Sequence, residues 1–305
     1  MITIFTALYP EAKELIRALS LKKDMTQNHF QVFSDENNQI QIVITGASAI
    51  AAATAVAECS TKREPGDGDL LVNYGSCAGR EDIPVGTVSL CNKLTQIADG
   101  RTFYPDILYR HPFEETQLYS FPTAQDRESL KAFLEKNAKA DNRGNKLRVD
   151  MEAAAIYQAG NYYYAPHQML FLKVVTDHGT GLADDGNRQR ESFSQRMDQA
   201  AEEVLKFIRQ LLAMQEKNAL QKKKKEMFQV EVEEQTRRWS DALHSSETMK
   251  AQIRQLIRYH FLCQKEAGKK SIFDWYEEYE QAGRLPAKDK REGKKILEEL
   301  RARVL

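Results

Sequence analysis

The chain has 305 residues, enough for one large α/β domain with an appendage or for two domains, and 42% of them are hydrophobic, enough for a core. Lysine plus arginine equals aspartate plus glutamate at 44 each, so no overall field draws the molecule to nucleic acid or to an anionic membrane. The balance hides an asymmetry: 23 basic and 28 acidic residues lie up to Leu212, and 21 and 16 lie beyond it, which suggests two modules with different surroundings.

Ile2 to Leu8 is a largely apolar run that predicts a buried strand. A helix from Pro10 to about Leu19 follows, with proline tolerated in its first turn. The early charges Glu11, Lys13 and Glu14 do not fit a signal peptide, and no apolar run is long enough to span a bilayer. Ile40, Ile42 and Ile44 alternate as in a strand that Gly46 ends, and Ala49 to Cys59 is an alanine-rich helix able to pack closely on a sheet. Asp69 to Asn73 predicts another buried strand, opening into a glycine-rich turn, Tyr74-Gly75-Ser76-Cys77-Ala78-Gly79. Val85 to Cys91 predicts a strand, Arg127 to Asn137 a helix, Asp150 to about Tyr162 a helix, Met169 to Thr176 a central strand, and Arg190 to about Gln215 a long helix. Strands alternating with helices predict an α/β fold with a mixed, mostly parallel central sheet flanked by helices.

The remainder differs in kind. Lys222 to Lys225 is a four-lysine run that reads as a solvated helix extension, since no interleaved base-stacking residues follow it. Met249, Ile253, Leu256 and Ile257 recur at helical spacing, Phe273, Trp275, Tyr276 and Tyr279 cluster, and Ile296, Leu297, Leu300 and Val304 form a last apolar stripe. These predict a small all-helical C-terminal module on a charged connector. Cys59, Cys77, Cys91 and Cys263 show neither Cys-x-x-Cys nor zinc-finger spacing, so reduced thiols in a cytoplasmic protein are the expectation.

Three carboxylates stand where strands give way to loops or helices, which is where ligand sites collect in α/β sheets. Glu11 follows the first strand, Glu152 begins a small-residue helix within Val149-Asp150-Met151-Glu152-Ala153-Ala154-Ala155, and Asp177 ends the strand Leu172-Lys173-Val174-Val175-Thr176. Taken singly, each is equally an ordinary first-turn acid or cap.

Together with Thr6-Ala7-Leu8-Tyr9-Pro10-Glu11 and Asn73 to Gly79, these segments resemble the purine nucleoside and uridine phosphorylase superfamily. Within it the chain looks like the methylthioadenosine/S-adenosylhomocysteine nucleosidases, and the resemblance covers about residues 1–212. It implies a nucleoside phosphorylase/nucleosidase-like domain over 1–214 and leaves 215–305 as a charged helical connector and module of unknown role. It implies hydrolysis of the N-glycosidic bond of a purine nucleoside, without a cofactor. Glu11 would activate water, Asp177 would protonate the leaving base, and Glu152 would hold the ribosyl hydroxyls with Met151 packed on the sugar and Ser76 supplying a polar contact. The implied partners are a nucleoside substrate and further copies of the chain, as a dimer or higher homo-oligomer, with neither membrane nor nucleic acid.

The sequence departs from the family in three places. Ala138 to Arg148 is too short for the strand that normally packs on the base, so that wall is missing or comes from elsewhere. The loop from His178 to Gly186 is long and polar and reads either as a lid, with Phe193 closing on the base, or as a solvated loop leading into a helix, with Phe193 in the core. Gly46-Ala47-Ser48-Ala49 replaces the usual Gly-x-Gly-Lys. The alternatives are a phosphate-dependent phosphorylase, disfavoured by an acid at Glu11 where an anion would sit, and a nucleoside-binding or scaffold protein with weak catalysis.

Overall fold

In the computed structural model the described residues are 1–26, 29–140, 147–179, 186–263 and 271–304. They form β1 (Ile2–Thr6), α1 (Tyr9–Ala18), β2 (Lys22–Lys23), β3 (Gln31–Ser34), β4 (Ile40–Ile44), α2 (Ala49–Lys62), β5 (Leu70–Gly79), β6 (Val88–Gln96) and β7 (Thr102–Phe103). There follow β8 (Glu114–Ser120), α3 (Arg127–Ala140), β9 (Arg148–Asp150), α4 (Ala153–Gly160), β10 (Met169–Asp177), α5 (Gly186–Ala242), α6 (Glu247–Cys263), α7 (Ile272–Gln281) and α8 (Lys290–Val304). The chain divides into two compact units, Met1–Glu216 and Lys217–Leu305.

In the first unit the strands join one sheet in the order β10-β6-β8-β9-β5-β1-β4-β3-β2, with β7 on β6. β10 also pairs with β5, so β10, β6, β8, β9 and β5 close into a ring, and the remaining strands extend from β5 as an open wing. The expectation of a mostly parallel sheet is corrected here. β1–β4, β1–β5, β5–β10, β6–β8 and β8–β9 are parallel, but β2–β3, β3–β4, β5–β9, β6–β7 and β6–β10 are antiparallel. Closing the ring requires strands that run back against their neighbours, and this pairing leaves no trace in hydrophobic periodicity.

The alternation of side chains sorts two cores across the sheet. Ile2, Ile4, Val72, Leu170, Leu172 and Val174 pack with α1 and with the α5 side chains from Phe193 to Leu211. Phe5, Leu71, Phe171 and Val175 face the other way, onto Ala52 and Ala55 of α2 and Ala153, Ile156 and Tyr157 of α4. The small residues of α2 and α4 permit the close approach that alanine-rich sequence implies. A Cβ on Gly160 of α4 would meet the Met169 sulfur at 2.8 Å. The segment read as a glycine-rich turn, Tyr74 to Gly79, continues β5 as strand.

The second unit has its own core of Val232, Trp239, Ile253, Ile257, Tyr276, Ile296 and Leu300. Trp239 stacks on Tyr276 with ring centroids 4.5 Å apart. Ser271 caps α7 through the amides of Phe273 and Asp274. Among the described residues no helix is long and apolar enough to cross a membrane.

Candidate active site

The C-terminal ends of β1, β5 and β10 and the starts of α1 and α4 converge on a cavity of about 210 Å³. Its lining includes Glu11, Ser76, Met151, Glu152 and Asp177, five of the six residues singled out from sequence. Phe193 is not among them. It is buried with Met197 and Val204 in the core that α5 forms on the sheet.

Glu11 is buried just inside α1, and both carboxylate oxygens are occupied. Oε2 accepts from the Thr6 hydroxyl at 2.8 Å and the Leu8 amide at 2.9 Å. Oε1 accepts from the Ser76 amide at 2.8 Å and the Ser76 hydroxyl at 2.7 Å. Gly75 leaves room beside it, since a Cβ there would stand 3.3 Å from Glu11 Oε1. Ser76 therefore bears on the site mainly by holding Glu11 from the neighbouring strand.

Asp177 follows an irregularity in β10. Val175 pairs with Cys77 and Asp177 with Ala78, so Thr176 is the extra residue of a bulge. Bulges of this kind re-aim the side chain that follows them. Asp177 Oδ1 accepts from the Gly179 amide at 2.8 Å and Oδ2 from the Thr176 hydroxyl at 3.1 Å, and the half-buried carboxyl retains acceptor capacity toward the cavity.

Glu152 is different. It is only 8% exposed, it occupies the N-cap position of α4 without capping it, and no side chain among the described residues donates to it. Burial first, and the Asp150 carboxylate second, push its carboxyl up to about 7, while the Lys173 ammonium pulls the other way. An ionised carboxylate left this way in a cavity is an acceptor awaiting donors.

Sequence reasoning passed over two parts of the site. The first is a buried ion pair: Lys173 Nζ lies 2.8 Å from Asp150 Oδ2, with both side chains almost fully enclosed. Burial works against the Lys173 charge, but the carboxylates of Asp150, Glu152 and Glu11 outweigh it and raise its pKa. A lysine inside an apolar strand was the available signal. The second is the wall made by Phe121, Thr123, Ala124 and Gln125, from the connection between β8 and α3, with Leu130 of α3 beside it. The sequence left a wall for a base missing or supplied from elsewhere, and these residues supply one wall of the cavity. Residues 141–146 and 180–185, which take in most of the shortened stretch before Val149 and most of the expected lid, lie outside the described residues.

The described lining carries four carboxylates, Glu11, Asp150, Glu152 and Asp177, and no arginine, lysine or histidine. The described acids do not group in a way that would hold a metal ion. Such a surface repels anions and favours positive charge developing on a bound molecule.

No protein-family model matches the sequence, and no curated protein sequence matches it. Solved structures do match. The methylthioadenosine/S-adenosylhomocysteine nucleosidase of Neisseria meningitidis is 18% identical with a TM-score of 0.53, covering 69% of this chain and 97% of the other. The corresponding nucleosidase of S. pneumoniae is 20% identical with a TM-score of 0.53, covering 70% and 99%. Futalosine hydrolase of Helicobacter pylori is 11% identical with a TM-score of 0.51, covering 68% and 97%. Over about two-thirds of its length, then, this chain has the fold of these nucleosidases and of futalosine hydrolase.

Proposed function

We propose that the chain is a nucleosidase that hydrolyses the N-glycosidic bond of a purine nucleoside. The observation that carries this reading is Glu152, a desolvated carboxylate at the cavity wall that no side chain holds. The 2′- and 3′-hydroxyls of a ribosyl ring are a matched pair of donors for it. Their bonds to the carboxylate strengthen as positive charge builds on the sugar.

Glu11 receives a proton from water as its oxygen bonds to the anomeric carbon. The carbon–nitrogen bond breaks with its electron pair leaving on the base, and Asp177 delivers a proton to a ring nitrogen of that base. Met151 packs on the sugar, and the wall from Phe121 to Gln125 faces the base. The lack of a cation in the described lining supports water over phosphate as acceptor and a nucleoside over a nucleotide as substrate. The nucleosidases of similar fold support the reaction class, and the methylthioadenosine/S-adenosylhomocysteine branch supplies the first substrates to try.

One observation favours a second reading, binding with little turnover. All four hydrogen bonds at Glu11 are already made, so a water must replace the Ser76 hydroxyl before Glu11 acts as a base. Incubation with a panel of nucleosides, with and without phosphate, separates the readings. Free base released without phosphate supports hydrolysis, phosphate-dependent release overturns it in favour of phosphorolysis, and binding without release favours the second reading. Asp177→Asn is expected to lower kcat by about a thousandfold with the fold intact, and full activity in that variant removes Asp177 from its role.

A further inference from the structure

A helix leaves its first amides unbonded, and the side chain at its N-cap ordinarily accepts from them. Glu152 holds that place on α4 and does not do so. The amides are satisfied from outside the helix: Asp150 Oδ2 accepts from Ala153 at 2.8 Å, and Ser120 Oγ accepts from Ala154 at 3.0 Å. These two side chains also bind each other, the Ser120 hydroxyl donating to Asp150 Oδ1 at 2.5 Å. They can meet because Ser120 and Asp150 are direct partners in the parallel β8–β9 pairing. Lys173 of β10 closes the arrangement at 2.8 Å from the same Asp150 oxygen that caps the helix.

We propose that Asp150, held by Ser120 and Lys173, is a positioning residue that caps α4 in place of Glu152 and so frees the Glu152 carboxylate for the hydroxyls of a ligand. The inference rests on the nucleosidase reading and adds to it the groups that keep the sugar clamp available. Asp150 acts through Glu152 in two ways. As a cap, it occupies the Ala153 amide, which would otherwise attract the neighbouring carboxylate, while Ser120 occupies that of Ala154. As a buried anion, it opposes ionisation of Glu152, and Lys173 from β10 partly offsets it. Glu11 of α1 adds repulsion of the same sign, and Asp177 is the remaining charge in the described cavity lining.

The test uses the full chain and follows nucleoside turnover against pH. Wild-type kcat/KM should fall on the acid side as Glu152 protonates. Asp150→Asn keeps an acceptor for the Ala153 amide but loses the charge, so its acid limb should move about one pH unit lower. Asp150→Ala loses the cap as well, and its KM at pH 8.5 should rise about tenfold or more, with a smaller change in kcat, as Glu152 turns to its own helix. Glu152→Gln should lose the acid limb and keep a low, pH-flat kcat/KM, and adding Asp150→Asn should not lower it further, which a purely structural role for Asp150 would not predict. If Asp150→Ala does not fold, Asp150→Asn and its combination with Glu152→Gln carry the test. Turnover with an unmoved acid limb in Asp150→Asn, or an equal effect of Asp150→Asn with and without Glu152, overturns the positioning role alone. Absence of nucleoside turnover at any pH overturns the nucleosidase reading, and the proposal with it.

Discussion

Glu152 sets function against stability at a single residue. Its carboxyl titrates near 7 in the folded chain against an ordinary 4.5. The folded state therefore holds a proton that the unfolded state has released. The resulting penalty is absent below the ordinary carboxylate range, grows as pH rises from 4.5, and is complete above about 7. A shift of this size corresponds to roughly 3 kcal/mol. Glu152→Gln should therefore raise Tm at pH 8, leave it nearly unchanged near pH 4.5, and abolish tight nucleoside binding. Thermal melts across that range, with isothermal titration of the variant, check all three. The principal acids of the site were legible in the sequence because each lies in a short motif at a strand end. Asp150 and Lys173 were in plain view but 23 positions apart, and nothing local says that their charges meet. Their contact depends on strand register, as does that of Ser120 with Asp150.

Among the elements, β1, β4 and β10 were readable because their apolar runs or alternation announce buried strands. β8 was not. Its sequence Glu-Glu-Thr-Gln-Leu-Tyr-Ser is mostly polar, and only alternate residues, Thr116, Leu118 and Ser120, are buried. Missing β8 also hid the cavity wall that follows it, from Phe121 to Gln125. The continuation of β5 through Gly75 and Ser76 was obscured because glycine reads as a turn, whereas here it makes room for Glu11. Gly75→Ala places a methyl 3.3 Å from Glu11 Oε1 and should displace that carboxylate by a few tenths of an ångström. The expected result is a kcat/KM lowered by about tenfold with a near-normal Tm. Ser120→Ala removes one helix-capping acceptor and one donor to Asp150, and should cost about 1–2 kcal/mol in chemical denaturation.

For the molecule as a whole, every described residue lining the cavity belongs to the unit Met1–Glu216. A fragment ending at Glu216 should retain kcat/KM within about threefold of the full chain, since the unit has its own core. A large loss of activity would assign the remaining 89 residues a part in completing the site. The closed ring has a further consequence, for the order in which the polypeptide leaves the ribosome. β10 is the last strand made, yet it joins β5 to β6 and brings both Lys173 and Asp177. Vectorial synthesis therefore cannot assemble the cavity piecemeal. The earlier-made groups of Glu11, Ser76, Asp150 and Glu152 wait, with the edges of β5 and β6 uncovered, until residue 177 has emerged. Pairings across about 100 residues also place this domain among the slower folders for its size. During that interval the nascent chain is inactive and has two strand edges open to wrong partners, the stage at which holding chaperones should matter most.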